Sequence, residues 1–82
     1  LKLPDGLERI DGYAFNNTGV TSVDFLNTSL SYIGNNAFYA CPITGTLSFP
    51  GTLRSIGNSA FASAKVSSIK LKSTEMVRFG WS

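Results

Sequence analysis

The sequence predicts an α/β repeat protein, a solenoid of about three and a half coils with about 23 residues in each. Three observations carry that prediction. The stretch Ile33-Gly34-Asn35-Asn36-Ala37-Phe38 has one relative earlier in the chain, Ile10 to Phe15, and another later, Ile56 to Phe61, at equal steps. Leucines keep the same step, at Leu7, Leu30 and Leu53. A short alternating apolar segment precedes each copy. A fixed period of this length means coils that stack, each burying its apolar side against its neighbours.

The elements follow in order along the period. The alternating segments lie near residues 1–3, 23–25, 47–49 and 69–71. Alternation with β-branched and aromatic residues reads as half-buried strands. One strand per coil should pair in parallel with the next, about 4.8 Å away. Leu1 and Leu3, Val23 and Phe25, Leu47 and Phe49, and Ile69 and Leu71 would point inward. Pro4 and Pro50 follow two of these strands, where a residue without an N–H suits the start of a turn. The strands begin at residues 1, 23, 47 and 69, so the steps are 22, 24 and 22. The extra residues fall between Phe25 and Leu30 and between Phe38 and Leu47, in connections that tolerate insertion.

The repeated motif comes next. Gly12, Asn35 and Asn58 share a column and are the residues that most readily accept positive φ, so a sharp turn or a short helical turn is expected there. Asp11 matches Gly34 and Gly57, which calls for a small or polar residue in that column. The predicted core is Leu7, Ile10 and Phe15, then Leu30, Ile33 and Phe38, then Leu53, Ile56 and Phe61. Met76, Phe79 and Gly80 begin a fourth copy. The whole of 1–82 reads as a single repeat domain cut from a longer solenoid. Its end coils should expose apolar surface, leaving the chain marginal alone or prone to associate end to end.

The order strand, Pro, Leu-x-x-Ile-Gly-x-x-Ala-Phe, then a small residue resembles the BspA-type (Treponema-type) leucine-rich repeats, over residues 1–80. Three departures stand out. The family's Cys after Ala-Phe occurs only as Cys41, against Thr18 and Ala64; Leu26 stands where other copies have Pro; and Met76 and Phe79 replace Leu and Ile. The resemblance implies a leucine-rich-repeat solenoid with a short parallel sheet on its concave face. It implies a surface or secreted bacterial protein, extracellular or at the cell surface, acting in adhesion. The partner it implies is a host extracellular or cell-surface protein, alongside flanking repeats of the same chain. It brings no catalytic residue and no fixed ligand.

The chemistry of the remaining residues points the same way. There is no histidine, so Cys41 has no Cys-His partner and no general base of that kind. Asp5, Glu8 and Asp11 are close in sequence but lie on a connecting segment, a solvated turn; Asp24 and Glu75 complete the acidic set. Neither Ca²⁺ spacing nor a phosphate loop occurs, and no cofactor or metal is expected. A net charge of +2 without a basic run gives no support to nucleic acid binding, and no apolar run is long enough for membrane insertion. Asn16-Asn17-Thr18 and Asn27-Thr28-Ser29 fit the glycosylation acceptor pattern. Thr28, Thr52 and Thr74 could stack as a ladder, and Lys2 could pair with Asp24.

The binding surface predicted from sequence is the exposed strand face. Its columns are Ser22, Thr46 and Ser68; Lys2, Asp24, Ser48 and Lys70; and Pro4, Leu26, Pro50 and Lys72. These positions vary while the inward residues do not, as either binding or plain solvent exposure would produce. The expectation is a non-catalytic protein-interaction or adhesion module. The alternatives are a structural spacer stalk and an accessory repeat region of a secreted enzyme.

Overall fold

A computed structural model describes residues 1–80. The chain winds as a parallel-strand β-solenoid of about three turns, with no helix among the described residues. The sequence-predicted strands 47–49 and 69–71 lie within longer strands, β3 at Thr44–Phe49 and β5 at Lys65–Leu71. Those near 1–3 and 23–25 reduce to a single parallel bridge, Lys2 with Asp24.

A second sheet has no counterpart in the sequence reading. It consists of the two-residue strands β1 (Arg9–Ile10), β2 (Tyr32–Ile33), β4 (Ser55–Ile56) and β6 (Arg78–Phe79), in the order β1-β2-β4-β6. All neighbours are parallel, with Ile10 opposite Ile33, Ile33 opposite Ile56 and Ile56 opposite Phe79. One isoleucine column therefore belongs to this sheet and not to the turn. The ladder continues on either side of the strands: the Gly34 and Gly57 N–H groups donate to Ile10 O and Ile33 O at 2.8 and 2.7 Å.

The α/β label fails at the Ala-Phe segment, and its hydrogen bonds show why. Alternate N–H groups point along the solenoid axis. Those of Tyr13, Phe15 and Asn17 donate to Asn35 O, Ala37 O and Tyr39 O, and those of Asn36 and Phe38 to Asn58 O and Ala60 O. The intervening N–H groups of Ala14, Asn16, Ala37 and Tyr39 close tight turns onto carbonyls three residues back. A helix would direct every N–H within its own segment. Positive φ falls one column later than expected, at Tyr13 (63°), Asn36 (59°) and Ser59 (56°), and again at Asn17 and Ala40. Those left-handed residues stop helix propagation.

Gly34 and Gly57 are explained by contact between coils. A Cβ on Gly34 would run into the Gly12 backbone, and one on Gly57 would lie 2.5 Å from the Asn35 nitrogen. Asp11 holds the same column in the first described coil, where its side chain is exposed and pairs with Arg9.

One of the two one-residue insertions is absorbed within its own turn. Thr28 takes up the first: it is 7% exposed, and its hydroxyl donates to Phe25 O at 2.7 Å while accepting from the Leu30 N–H at 3.2 Å. The second falls before β3: Phe38 to Thr44 is two residues longer than Phe61 to Lys65, and Ser67, unpaired on β5 where the register slips at Gly45/Thr46, offsets one of them; its Oγ donates to Gly45 O. Gly45 has φ of 84°, which glycine adopts without strain.

The core lies between the two sheets. Leu30, Ile33, Phe38 and Leu53 are fully buried, and Ile10 and Ile56 nearly so. Leu7, Phe15 and Phe61 are half-buried at its margin. Phe15, Phe38 and Phe61 stack along the axis, with centroids 5.1 and 5.3 Å apart and rings 8° and 6° from parallel. Phe25 meets Phe38 and Phe61 edge-on, at 5.8 and 6.2 Å. Leu47 and Phe49 are buried, but Ile69 and Leu71, predicted to face inward, are 42% and 43% exposed because no described coil covers them.

Candidate functional site

The lateral strands bring the predicted surface residues into register. Thr46 lies opposite Ser68 and Ser48 opposite Lys70, while Lys2 bridges to Asp24. Backbone pairing at this step fixes their spacing, and the pleat turns them away from Leu47 and Phe49. Lys2, Ser22, Asp24, Leu26, Thr46, Ser68, Lys70 and Lys72 are exposed, and Ser48 is half-buried. Pro4, in the same set, is exposed, whereas Pro50 is buried. The Thr46 and Ser68 hydroxyls share a hydrogen bond of 2.9 Å. Asp24 Oδ1 accepts from the Leu26 N–H at 3.2 Å, closing a local turn. The pair expected between Lys2 and Asp24 does not form: the ion pairs among the described residues are Arg9–Asp11 and Arg54–Glu75.

A shallow groove opens at the edge of this face, lined by Leu26, Ser48, Lys70 and Lys72 and by the inward-turned Phe49 and Leu71. Leu26 and Leu71 supply exposed apolar surface, at 44% and 43%, and two lysines rim it. Leu26 replaces the proline of other coils, so the departure from the repeat pattern creates part of the apolar floor.

The four-stranded sheet presents a different surface. Arg9, Tyr32, Ser55 and Arg78 form one column, each opposite the next in the ladder. The Arg9 guanidinium lies 4.4 Å from the Tyr32 ring centroid, and its Nε donates to Asp11 Oδ1 at 3.0 Å. Arg54 sits beside this column, donating to Gly51 O, Leu53 O, Ser73 Oγ and Glu75 Oε2. Two of the three arginines therefore lie on this sheet and Arg54 directly before β4, and three of the four lysines (Lys65, Lys70, Lys72) lie on β5 or directly after it. The arginine column was readable: each member precedes the Ile or Phe anchor at the repeat spacing. Two-residue strands gave no alternation to draw attention to it.

The other singled-out residues have structural partners. Cys41 is buried, with Sγ 3.1 Å from Phe15 O and 3.4 Å from Thr18 Oγ1. Asn27 Nδ2 donates to Leu3 O and Asp5 Oδ1 at 3.2 and 2.8 Å, tying two coils together. Glycosylation at that nitrogen would replace at least one of these bonds. Thr18 Oγ1 donates to Phe15 O, within the first acceptor pattern. The threonine ladder does not form: Thr28 bonds within its turn, and Thr52 Oγ1 donates to Leu30 O of the preceding coil at 2.7 Å.

No group of His, Cys, Asp or Glu able to hold a metal ion occurs among the described residues. No helix there is long and apolar enough to cross a membrane.

A family model described as BspA type leucine rich repeat region (6 copies) matches residues 1–80. The chain belongs to that family. The stacked Ala-Phe turns and the isoleucine ladder are thus the structural form of a BspA-type leucine-rich repeat. No curated protein and no solved structure matches the chain significantly. Leucine-rich repeats generally mediate protein–protein interaction.

Proposed function

We propose that this module binds a host extracellular or cell-surface protein, as part of an adhesive protein that is secreted or displayed at a bacterial surface. The interaction runs through the exposed face of the lateral strands, and on this reading the repeats carry no catalysis of their own. The observation that supports it is the groove formed by Leu26, Ser48, Phe49, Lys70, Leu71 and Lys72. A spacer stalk needs only a polar surface, whereas this face exposes Leu26 beside Lys70 and Lys72. Apolar floor with a polar rim is how binding patches are built.

The test is surface-based binding of the chain to a panel of host extracellular-matrix and cell-surface proteins. The triple variant Leu26→Ser, Lys70→Glu, Lys72→Glu serves as its comparison. A saturable signal that the variant weakens by about tenfold or more, equivalent to at least about 1.4 kcal/mol, supports this face. Equal binding by both proteins moves the site elsewhere. No binding across the panel favours the stalk.

A further inference from the structure

The outer sides of the Ala-Phe turns form an uncharged surface that the function proposed above does not use. No charged residue occurs from Gly12 to Val23, from Phe25 to Leu53 or from Ser55 to Ala64, and each turn lies inside one of these stretches. Asp11, just before the first turn, is already paired with Arg9. Against this neutral background stand two tyrosines, Tyr13 on the first turn and Tyr39 on the second, 63% and 43% exposed. Bonds between coils hold both in place. The Tyr13 N–H donates to Asn35 O at 3.0 Å, and Tyr39 O accepts from the Asn17 N–H at 2.7 Å. Asn16 shares the column of Tyr39, and its N–H closes a tight turn onto Tyr13 O at 3.1 Å. The two tyrosines are therefore one turn and one coil apart. Exposed amides accompany them at Asn17, Asn35 and Asn58, and Asn35 Oδ1 accepts the Asn58 N–H at 2.8 Å, which fixes that amide.

We propose that this surface binds a short neutral oligosaccharide. The faces of sugar rings carry C–H groups that pack on tyrosine rings, whose apolar body and polar tip suit a partner that stays half in water. Sugar hydroxyls donate and accept hydrogen bonds, and an asparagine amide offers both in one side chain. Tyr surrounded by Asn, Ser and Gly supplies contact area at low entropic cost and adaptable hydrogen bonding. Charge decides the occupant. A sulfated or acidic glycan calls for Lys or Arg, and those lie on or beside the strands instead. Protein partners are gripped by Arg as well as Tyr, and no Arg lies in these stretches. A purely apolar ligand would strip water from the asparagines without replacing its hydrogen bonds. A neutral, hydroxyl-rich chain meets none of these obstacles. The coils repeat about every 4.8 Å, so an extended saccharide lying along the solenoid axis passes from one tyrosine to the other. This site is separate from the proposed host-binding face and does not depend on it.

The test titrates the whole chain, followed by NMR, with a panel of neutral trisaccharides built from glucose, galactose, mannose or N-acetylglucosamine. At least one should give saturable shifts centred on Tyr13, Tyr39, Asn17 and Asn35. Tyr13→Asn and Tyr39→Asn each install the residue that the same column carries one coil away, at Asn36 and Asn16, and Asn accepts the positive φ of position 13. The double variant should keep the fold by NMR and bind the sugar about tenfold or more weakly. Tyr13→Phe combined with Tyr39→Phe keeps both rings and should bind nearly as well as the parent chain. The proposal is overturned if no panel member binds, if the shifts lie away from the turns, or if the double Asn variant binds as well as the parent. Tighter binding of a sulfated trisaccharide than of its neutral counterpart overturns the neutral assignment. Loss of host-protein binding by the double Asn variant, with sugars leaving the turn resonances unmoved, would make the surface a protein site and overturn the proposal too.

Discussion

Phe38 and Phe61 occupy the same place in the same motif, one repeat apart, yet they have different surroundings. Phe38 has a ring on each face, a third edge-on, and no exposed surface. Phe61 keeps the edge-on contact with Phe25 but has one stacked neighbour among the described residues. The difference shows that in this solenoid a residue's energetic weight depends on how many coils flank it, as nearest-neighbour stacking requires. The sharpest way to break that comparison is to truncate each ring. Phe38→Ala should cost about 3–5 kcal/mol, and Phe61→Ala about 1–2 kcal/mol less. Denaturant titration of both variants measures the gap. Equal losses would show that stacking on both faces does not matter.

The glycine column sharpens the same point from the backbone side. Gly57→Ala pushes a methyl into the Asn35 backbone of the preceding coil, 2.5 Å from its nitrogen. Overpacking against a rigid neighbour should cost about 1–3 kcal/mol. Asp11→Ala, in the same column of the first described coil, should stay within about 0.5 kcal/mol, as ordinary surface changes do. Thermal melts of the two variants separate these outcomes. If both were neutral, the coils would have room to spread and the close approach would not be a constraint.

Much of this stack was legible in the sequence because it repeats. The recurrence of Ile10, Ile33 and Ile56, and of Phe15, Phe38 and Phe61, fixed which residues share a column, whatever secondary structure each adopts. The outward columns followed from the alternation around Leu47-Ser48-Phe49 and Ile69-Lys70-Leu71. The four-stranded sheet was not legible. A strand of two residues, such as Tyr32–Ile33, has too few positions for period two to show. The left-handed column was hidden for a different reason. Tyr13, Asn36 and Ser59 have little in common chemically, and the neighbouring column of Gly12, Asn35 and Asn58 looked better suited. Inter-coil hydrogen bonds hold Tyr13 and Asn36 in place, and such bonds leave no trace in residue type. The groove at Leu26 was half visible: the missing proline was evident, but not the exposure of Leu71 beside it.

Buried and exposed threonines in one column provide a smaller contrast. Thr28 closes the enlarged turn after Phe25 with a donated and an accepted bond, while Thr74 is exposed at the far end. Thr28→Val keeps the shape but leaves the Leu30 N–H and the Phe25 carbonyl without the hydroxyl. A loss of about 1–2 kcal/mol is expected, against less than about 0.5 kcal/mol for Thr74→Val. Equal effects in chemical denaturation would mean that the hydroxyl of Thr28 fills space and does not close the turn.

The smallest effect belongs to the arginine sheet. Arg54 donates to Glu75 at 2.8 Å, but both side chains are well exposed, at 42% and 68%. Water and salt screen such a pair, so Glu75→Gln should cost less than about 1 kcal/mol and the difference should vanish in about 1 M salt. Arg54→Ala should cost more than Glu75→Gln, because the guanidinium also satisfies the Gly51 and Leu53 carbonyls and Ser73 Oγ. That excess should survive high salt, since bonds to neutral carbonyls do not depend on a counter-charge. Stability measured at low and high salt for the two variants therefore separates the ion pair from the turn that Arg54 holds. If salt erased both losses equally, Arg54 would act as a charge alone, and the carbonyl contacts would contribute nothing to joining the third coil to the strand after it.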